Sequence, residues 1–229
     1  MRIEDCLANI TTTVDPDSPW TLTASGKRVD LLDPQFEQLR IDDIIHHLCR
    51  LNRFTGAVNR DMYSVGQHLI TSYAIAKVML DAEAPINRDS VEYYDQLLAV
   101  VMHDFEEFVL NDLSSPVKSA IAPSKYKWIA TNMRRKIYEK WGVDWQYHND
   151  TVKHADLNAL MIERHVLLPA STHWPKVERG KLIFRQLPVM SVAEVEDTLK
   201  VLFIDLVHRR DRARTEEKRN ADSVGNTTT

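Results

Sequence analysis

Residues Leu97–Asp112 read LLAVVMHDFEEFVLND. Leu97, Leu98, Val100, Val101 and Met102 crowd together ahead of His103-Asp104. Such a run implies a helix buried on most sides. A charged pair at its end is costly unless it is paired or binds a metal. Glu107 follows His103 by four residues and Asp104 by three, so at helical pitch the three side chains project from neighbouring faces one turn apart. An imidazole and two carboxylates therefore converge where the chain leaves its core. An isolated His-Asp pair in a core is more often simply satisfied than a ligand set, so the rest of the chain has to decide between the two.

Working outward, the helix holding this stretch is predicted to start at Asp89 or Ser90 and to end near Asp112. Upstream, Ser64-Val65-Gly66-Gln67 has the form of a capping box. It opens a helix to about Asp81 with Val65, Leu69, Ala76 and Leu80 inward and His68 in its first turn. Before it, Asp42 can cap a helix bearing Ile44, Ile45, Leu48 and Leu51 on one stripe. Trp20–Leu32 carries two short β-leaning runs around Ala24-Ser25-Gly26-Lys27, a hairpin signal. Downstream, Ile129, Met133, Ile137 and Trp141 recur at steps of four and end at Gly142, a C-terminal cap. Asp150 or Thr151 starts a helix to about Leu168, and Ser191-Val192-Ala193-Glu194 forms a second capping box whose helix runs out near Arg212.

The expected fold is mostly α: about six helices around one core, with a small N-terminal β-hairpin and a disordered C-terminal tail. Residues 1–19 read as an N-terminal extension, 20–212 as a single helical domain with its core at 41–168, and 213–229 as the tail, rich in charge, Ser, Asn and Thr. Residues 169–190 are irregular and proline-punctuated, with a short extended piece predicted at Leu182–Phe184.

Composition narrows the function classes. The net charge of −4 does not attract polyanions, so any phosphate binding has to be local. Cys6 and Cys49 make no disulfide framework. No apolar stretch resembles a signal peptide or could span a bilayer, which reads as a cytosolic protein. The run Arg209–Arg214 is basic but lies at a helix end, where the dipole favours cations.

Three helices each deliver metal-compatible side chains from an otherwise apolar face: His68, then His103 with Asp104, then Asp156 between Ala155 and Leu157. Imidazole and carboxylate suit borderline and hard divalent ions, and two nitrogens with two oxygens leave coordination positions open for chemistry. The set resembles the H…HD…D signature of the HD-domain phosphohydrolase superfamily. Further likeness lies in Leu48–Phe54, Tyr63–His68, His103–Glu107 and Asn111–Lys118, which look like the branch of bacterial 5′-deoxynucleotidases and phage dATP triphosphohydrolases. The resemblance covers roughly residues 20–168.

The resemblance implies that His68, His103, Asp104 and Asp156 hold a divalent ion (Zn, Co, Mn or Mg). It implies that Glu107 is the acid/base carboxylate and Asp112 a second one, that Arg53 binds phosphate, and that Phe54 lies beside the sugar, where the deoxynucleotidases carry Trp. Lys118 could face a phosphate or be a solvated loop residue. The implied activity is hydrolysis of a free 2′-deoxynucleotide, first dATP to deoxynucleoside and triphosphate, with 5′-deoxynucleotidase action on monophosphates as the alternative. A nucleotide sensor with a vestigial metal site is a more remote reading. Elementary chemistry agrees: Arg53 offers a planar, permanently charged fork, and Glu107 is placed to relay a proton. The expected partners are the small-molecule deoxynucleotide and further copies of the chain, with no nucleic acid and no membrane. His47 lines the cleft or belongs to a surface pair with His46, His154 reads as surface or as support for the ligands, and His165 reads as surface. Trp128, Trp141 and Trp145 read as core or subunit contacts.

Overall fold

The structure, a computed structural model, describes residues 18–82, 87–121, 123–170, 184 and 186–225. The chain is mostly helical with a two-stranded hairpin at its start. Strands β1 (Trp20–Leu22) and β2 (Arg28–Asp30) pair antiparallel with Thr21 opposite Val29. The turn between them uses Gly26 at φ +77°, a conformation that costs glycine little. The hairpin is tied to helix α1 (Ile41–Leu48) by buried Asp43, which accepts from the Ser25 backbone at 2.9 Å and from the Ser25 and Thr23 hydroxyls at 2.6 and 3.0 Å. Ile44, Ile45 and Leu48 are buried as the stripe predicts. Asp42 sits in the first turn of α1 and pairs with Lys200; it does not cap, since Arg40 occupies the cap position.

The bundle is built on α2 (Val65–Ala82), α3 (Val91–Val101), α7 (Asp150–Leu167) and α8 (Val192–Gly225), with α3 packed against the other three. Every residue of α3 from Tyr93 to Val101 is buried. Between α3 and α7 the chain forms the short helices α4 (Glu107–Leu110) and α5 (Ser115–Ala120) and the longer α6 (Pro123–Lys140). Helix α6 ends as expected: Gly142 takes φ +64°, and the Gly142 and Val143 amides return to the Glu139 and Tyr138 carbonyls at 3.1 and 3.0 Å.

The structure corrects three further expectations. The helix through Leu97–Asp112 is not continuous: it stops at Val101 and resumes at Glu107. In the gap, amide bonds step back three residues, Phe105 to Met102 at 3.1 Å and Glu107 to Asp104 at 3.0 Å, so the backbone tightens into successive turns. Only half of the Ser64 capping box forms. Ser64 Oγ accepts from the Gln67 amide at 3.2 Å, but the Gln67 side chain donates to the Pro188 carbonyl at 2.7 Å. Residues Ala213–Gly225, expected as a tail, continue α8, where Ala213 still packs in the core and Glu, Lys and Arg are good helix formers. The second capping box is complete: Glu194 accepts from the Ser191 amide at 2.7 Å, and Ser191 Oγ accepts from the Glu194 amide at 3.3 Å. Most of the 1–19 extension and of the Leu182–Phe184 piece lies outside the described residues.

Candidate metal centre

His68 comes from the first turn of α2, His103 and Asp104 from the break after α3, and Asp156 from the second turn of α7. The break aims the His103 ring: its Nδ1–H donates to the Val100 carbonyl at 2.7 Å, three residues back. Phe105, fully buried behind the turn, is seated edge-on to Trp141 and against Phe203. The other imidazole is fixed by Glu163, two turns after Asp156 on α7, which accepts from His68 Nδ1–H at 2.7 Å.

With both Nδ1 atoms donating, each ring in its neutral form presents a bare Nε2. The two Nε2 atoms face each other at 3.3 Å. Asp104 Oδ2 lies 3.7 Å from His68 Nε2 and 3.3 Å from His103 Nε2, and Asp156 Oδ1 lies 3.3 and 3.8 Å from the same two atoms. Ser72 Oγ, at 3.5 Å from His68 Nε2, stands at the limit of hydrogen bonding. Two ring lone pairs and two carboxylate oxygens thus converge, an arrangement that calls for positive charge at its centre. Burial pulls the His103 imidazole down, but Asp104 and Asp156 beside it push harder and hold it well above its ordinary value. The His68 imidazole is held up on balance too, burial and Arg53 being outweighed by Glu163 and Asp156. His68, His103 and Asp104 form a group able to bind a metal ion, and Asp156 Oδ1 lies within 3.8 Å of both ring Nε2 atoms. The donor set fits a divalent cation: it would replace protons on two nitrogens whose partner nitrogens are already engaged, an outer arrangement common among metal-binding histidines.

The remaining candidates surround this cluster. Arg53 is only 8% exposed, in the one-turn helix Arg53–Gly56. A single antiparallel bridge between Asn52 and Ser64 brings this turn to the start of α2, with the Arg53 amide on the Tyr63 carbonyl at 2.9 Å. Its Nη2 lies 3.2 Å from Glu163 Oε2, its Nη1 4.0 Å from Asp104 Oδ2, and its buried Nε has no partner among the described residues. The guanidinium lies over the Phe54 ring at 5.4 Å. Phe54 and Thr55 have φ of 56° and 52°, and Asn111, beside Asp112, has 63°.

Glu107 is 2% exposed; its Oε1 accepts from Lys118 Nζ at 3.2 Å, and its buried Oε2 has no hydrogen-bond partner among the described residues. Burial, then the charges of Asp104, Asp112 and Glu106, hold its carboxyl well above the usual range. Asp112 is half-buried, and its charge reaches both Arg53 and Glu107. Lys118 is therefore not a free loop lysine.

Sequence reading missed Glu163, fully buried, and the pair of Glu106 with Arg134. An acid seven residues after Asp156 lies on the same helical face, a signal for Glu163 that the sequence did offer. Nothing local marks Arg134. His47 has both ring nitrogens engaged: its Nδ1–H donates to the Phe108 carbonyl at 3.0 Å and its Nε2 accepts from the Ala24 amide at 2.9 Å. His154 and His165 are exposed. Trp141 packs on the core, Trp145 stacks on His148, and Trp128 is 55% exposed. In the basic run, Arg209 pairs with Asp205, and Arg210 and Arg214 approach buried Asp95.

His148 supports Arg134 from the far side. Its Nε2 lies 3.2 Å from Arg134 Nη1 and its Nδ1 3.3 Å from the Tyr138 hydroxyl, which itself donates to the Ala99 carbonyl. Burial, then Arg134 and His103, push this imidazole down to about 4. The unfolded value is about 6.5, so the unfolded chain takes up the proton first as pH falls. The stabilisation is full above that value and is lost on descent towards the folded one. Discounted for partial exposure, the loss is on the order of 1–2 kcal/mol. Urea unfolding of wild type and His148→Gln at pH 6.5 and 4.5 checks this: wild type should lose that much more. Equal losses would remove His148 from the account.

No family model matches the chain. An uncharacterized protein of Rhodobacter capsulatus is 36% identical over 103 residues, covering 44% of this chain and 48% of that protein. The chain thus spans about half the length of this relative.

Proposed function

We propose that the protein is a divalent-metal phosphohydrolase that acts on free 2′-deoxynucleotides, with dATP cleaved to deoxynucleoside and triphosphate as the leading reaction. One observation carries the reading: the Nε2 atoms of His68 and His103 meet two carboxylates next to a buried arginine and the buried carboxyl of Glu107. An ion held there supplies charge neutralisation and an activated water. Arg53, with an unpartnered buried Nε and Nη1 turned towards Asp104, offers its fork to a phosphate oxygen beside that ion. Glu107 keeps a proton for the leaving 5′ oxygen. Lys118 holds Glu107 in place and adds positive charge near the phosphates. Phe54, beneath the Arg53 guanidinium, presents an apolar wall to the sugar.

The test is metal content of protein purified without chelator, followed by hydrolysis of ribo- and deoxynucleoside mono-, di- and triphosphates with product analysis. The expected result is a bound divalent ion, triphosphate released from dATP, and a preference over ATP of about 10²-fold, the discrimination an apolar wall gives against a hydroxyl. Arg53→Lys keeps the charge but loses the fork, and should cost about 10–100-fold, the worth of one charge-assisted hydrogen bond. A better rate with dAMP would put monophosphates in place of triphosphates. Metal-free protein inert towards the whole panel would overturn the proposal.

A further inference from the structure

The buried carboxylate of Glu163 faces two ways. Its Oε1 accepts from His68 Nδ1–H at 2.7 Å and from the Tyr63 hydroxyl at 3.0 Å. Its Oε2 forms an ion pair with Arg53 Nη2 at 3.2 Å, without the alignment of a hydrogen bond. Tyr63 is held in turn by the Thr71 hydroxyl at 3.0 Å, and its carbonyl takes the Arg53 amide. Tyr63 and Glu163 are fully buried, so water does not substitute for any of these contacts. Glu163, which lies outside the proposed ligand set, thus touches both a ligand of the proposed metal centre and the proposed phosphate-binding arginine.

We infer that Glu163 is a positioning residue that sets the spacing between the cation-holding and anion-holding arms of the site, through His68 on one oxygen and Arg53 on the other. The inference rests on the proposed function and adds a separable prediction to it. Each oxygen has its own task, so the two tasks come apart on substitution. In Glu163→Gln the amide oxygen stays where two donors converge, on His68 and Tyr63. The amide NH₂ then faces Arg53, donor against donor, and the guanidinium loses its anchor. Glu163→Ala releases both arms.

The experiment uses metal-stripped full-length protein and two probes, Mn²⁺ and inorganic phosphate. Glu163→Ala should weaken Mn²⁺ binding by about 10–100-fold, the usual cost of losing a partner behind a ligating histidine. Glu163→Gln should keep Mn²⁺ affinity within about threefold, because the outer hydrogen bond to His68 survives. At saturating Mn²⁺, Glu163→Gln should bind inorganic phosphate about tenfold or more weakly, as for loss of one well-placed charged hydrogen bond. Thermal melting of each metal-free variant separates these effects from unfolding. If Glu163→Ala does not fold, the phosphate measurement on Glu163→Gln decides alone. Wild-type phosphate affinity in Glu163→Gln, or wild-type metal affinity in a folded Glu163→Ala, overturns the inference while the proposed function stands. Wild-type protein that takes up no Mn²⁺ overturns the metal reading itself.

Discussion

Under the proposed function, Asp104→Ala is expected to forfeit the divalent ion and abolish hydrolysis while leaving the helical content intact. Asp104 Oδ2 is within 3.7 Å of both Nε2 atoms, so its removal opens the cluster at its centre. The lost ion is worth several kcal/mol to the transition state, which at about 1.4 kcal/mol per tenfold means on the order of 10³-fold or more. The fold tolerates the change because Asp104 is only partly buried, with Phe105 and α3 anchoring the turn behind it. Removing one carboxylate also lets the imidazoles settle as neutral rings, so no uncompensated charge is left in the interior. The check combines metal analysis, circular dichroism and steady-state hydrolysis. Near-normal turnover in Asp104→Ala would sink the metal-hydrolase reading.

Glu107→Ala should behave differently. It should keep its metal and lose about 10²–10⁴-fold in rate, the range for a positioned acid or base. The carboxyl sits 2% exposed beside Lys118, and no distance brings it into the ligand set. Its raised pKa also sets the sign of a pH effect. The protonated form persists above the usual carboxylate range, so the rate it supports is present at low pH and falls as pH rises through the folded value. Glu107→Gln should remove that alkaline limb along with the rate. Loss of metal from Glu107→Ala would instead make Glu107 a ligand and overturn its role as proton donor.

The helices were legible in the sequence where an apolar stripe faced a single core: Ile44-Ile45-Leu48, Val65-Leu69-Ala76-Leu80 and Met133-Ile137 are all buried. His68, His103, Asp104 and Asp156 were legible for the same reason, as polar residues in faces that otherwise bury carbon. What escaped depends on partners distant in the chain. Leu97–Leu110 contains no glycine or proline to announce a break. The break is made by tertiary packing, which seats Phe105 and turns the His103 ring onto Val100. Glu163 has meaning only once α2 and α7 bring it to His68, 95 residues away. The end of α8 was misjudged because a polar composition is shared by disordered tails and by solvated helix ends, and only the packing of Ala213 distinguishes them.

The left-handed backbone at Phe54, Thr55 and Asn111 has a consequence for how such a protein changes over time. Side chains other than glycine cost about 1–2 kcal/mol each in that conformation, and β-branched Thr55 is an especially poor occupant. The two segments that carry Arg53 and Asp112 therefore hold conformational energy that the rest of the bundle must offset. Selection for stability alone would find its easiest gains at these positions, by substituting glycine, and would loosen the supports of the arginine and the carboxylate as it did so. In this chain durability and the proposed turnover pull against each other at two short segments, while the buried helices behind them can be made more stable at little cost to either.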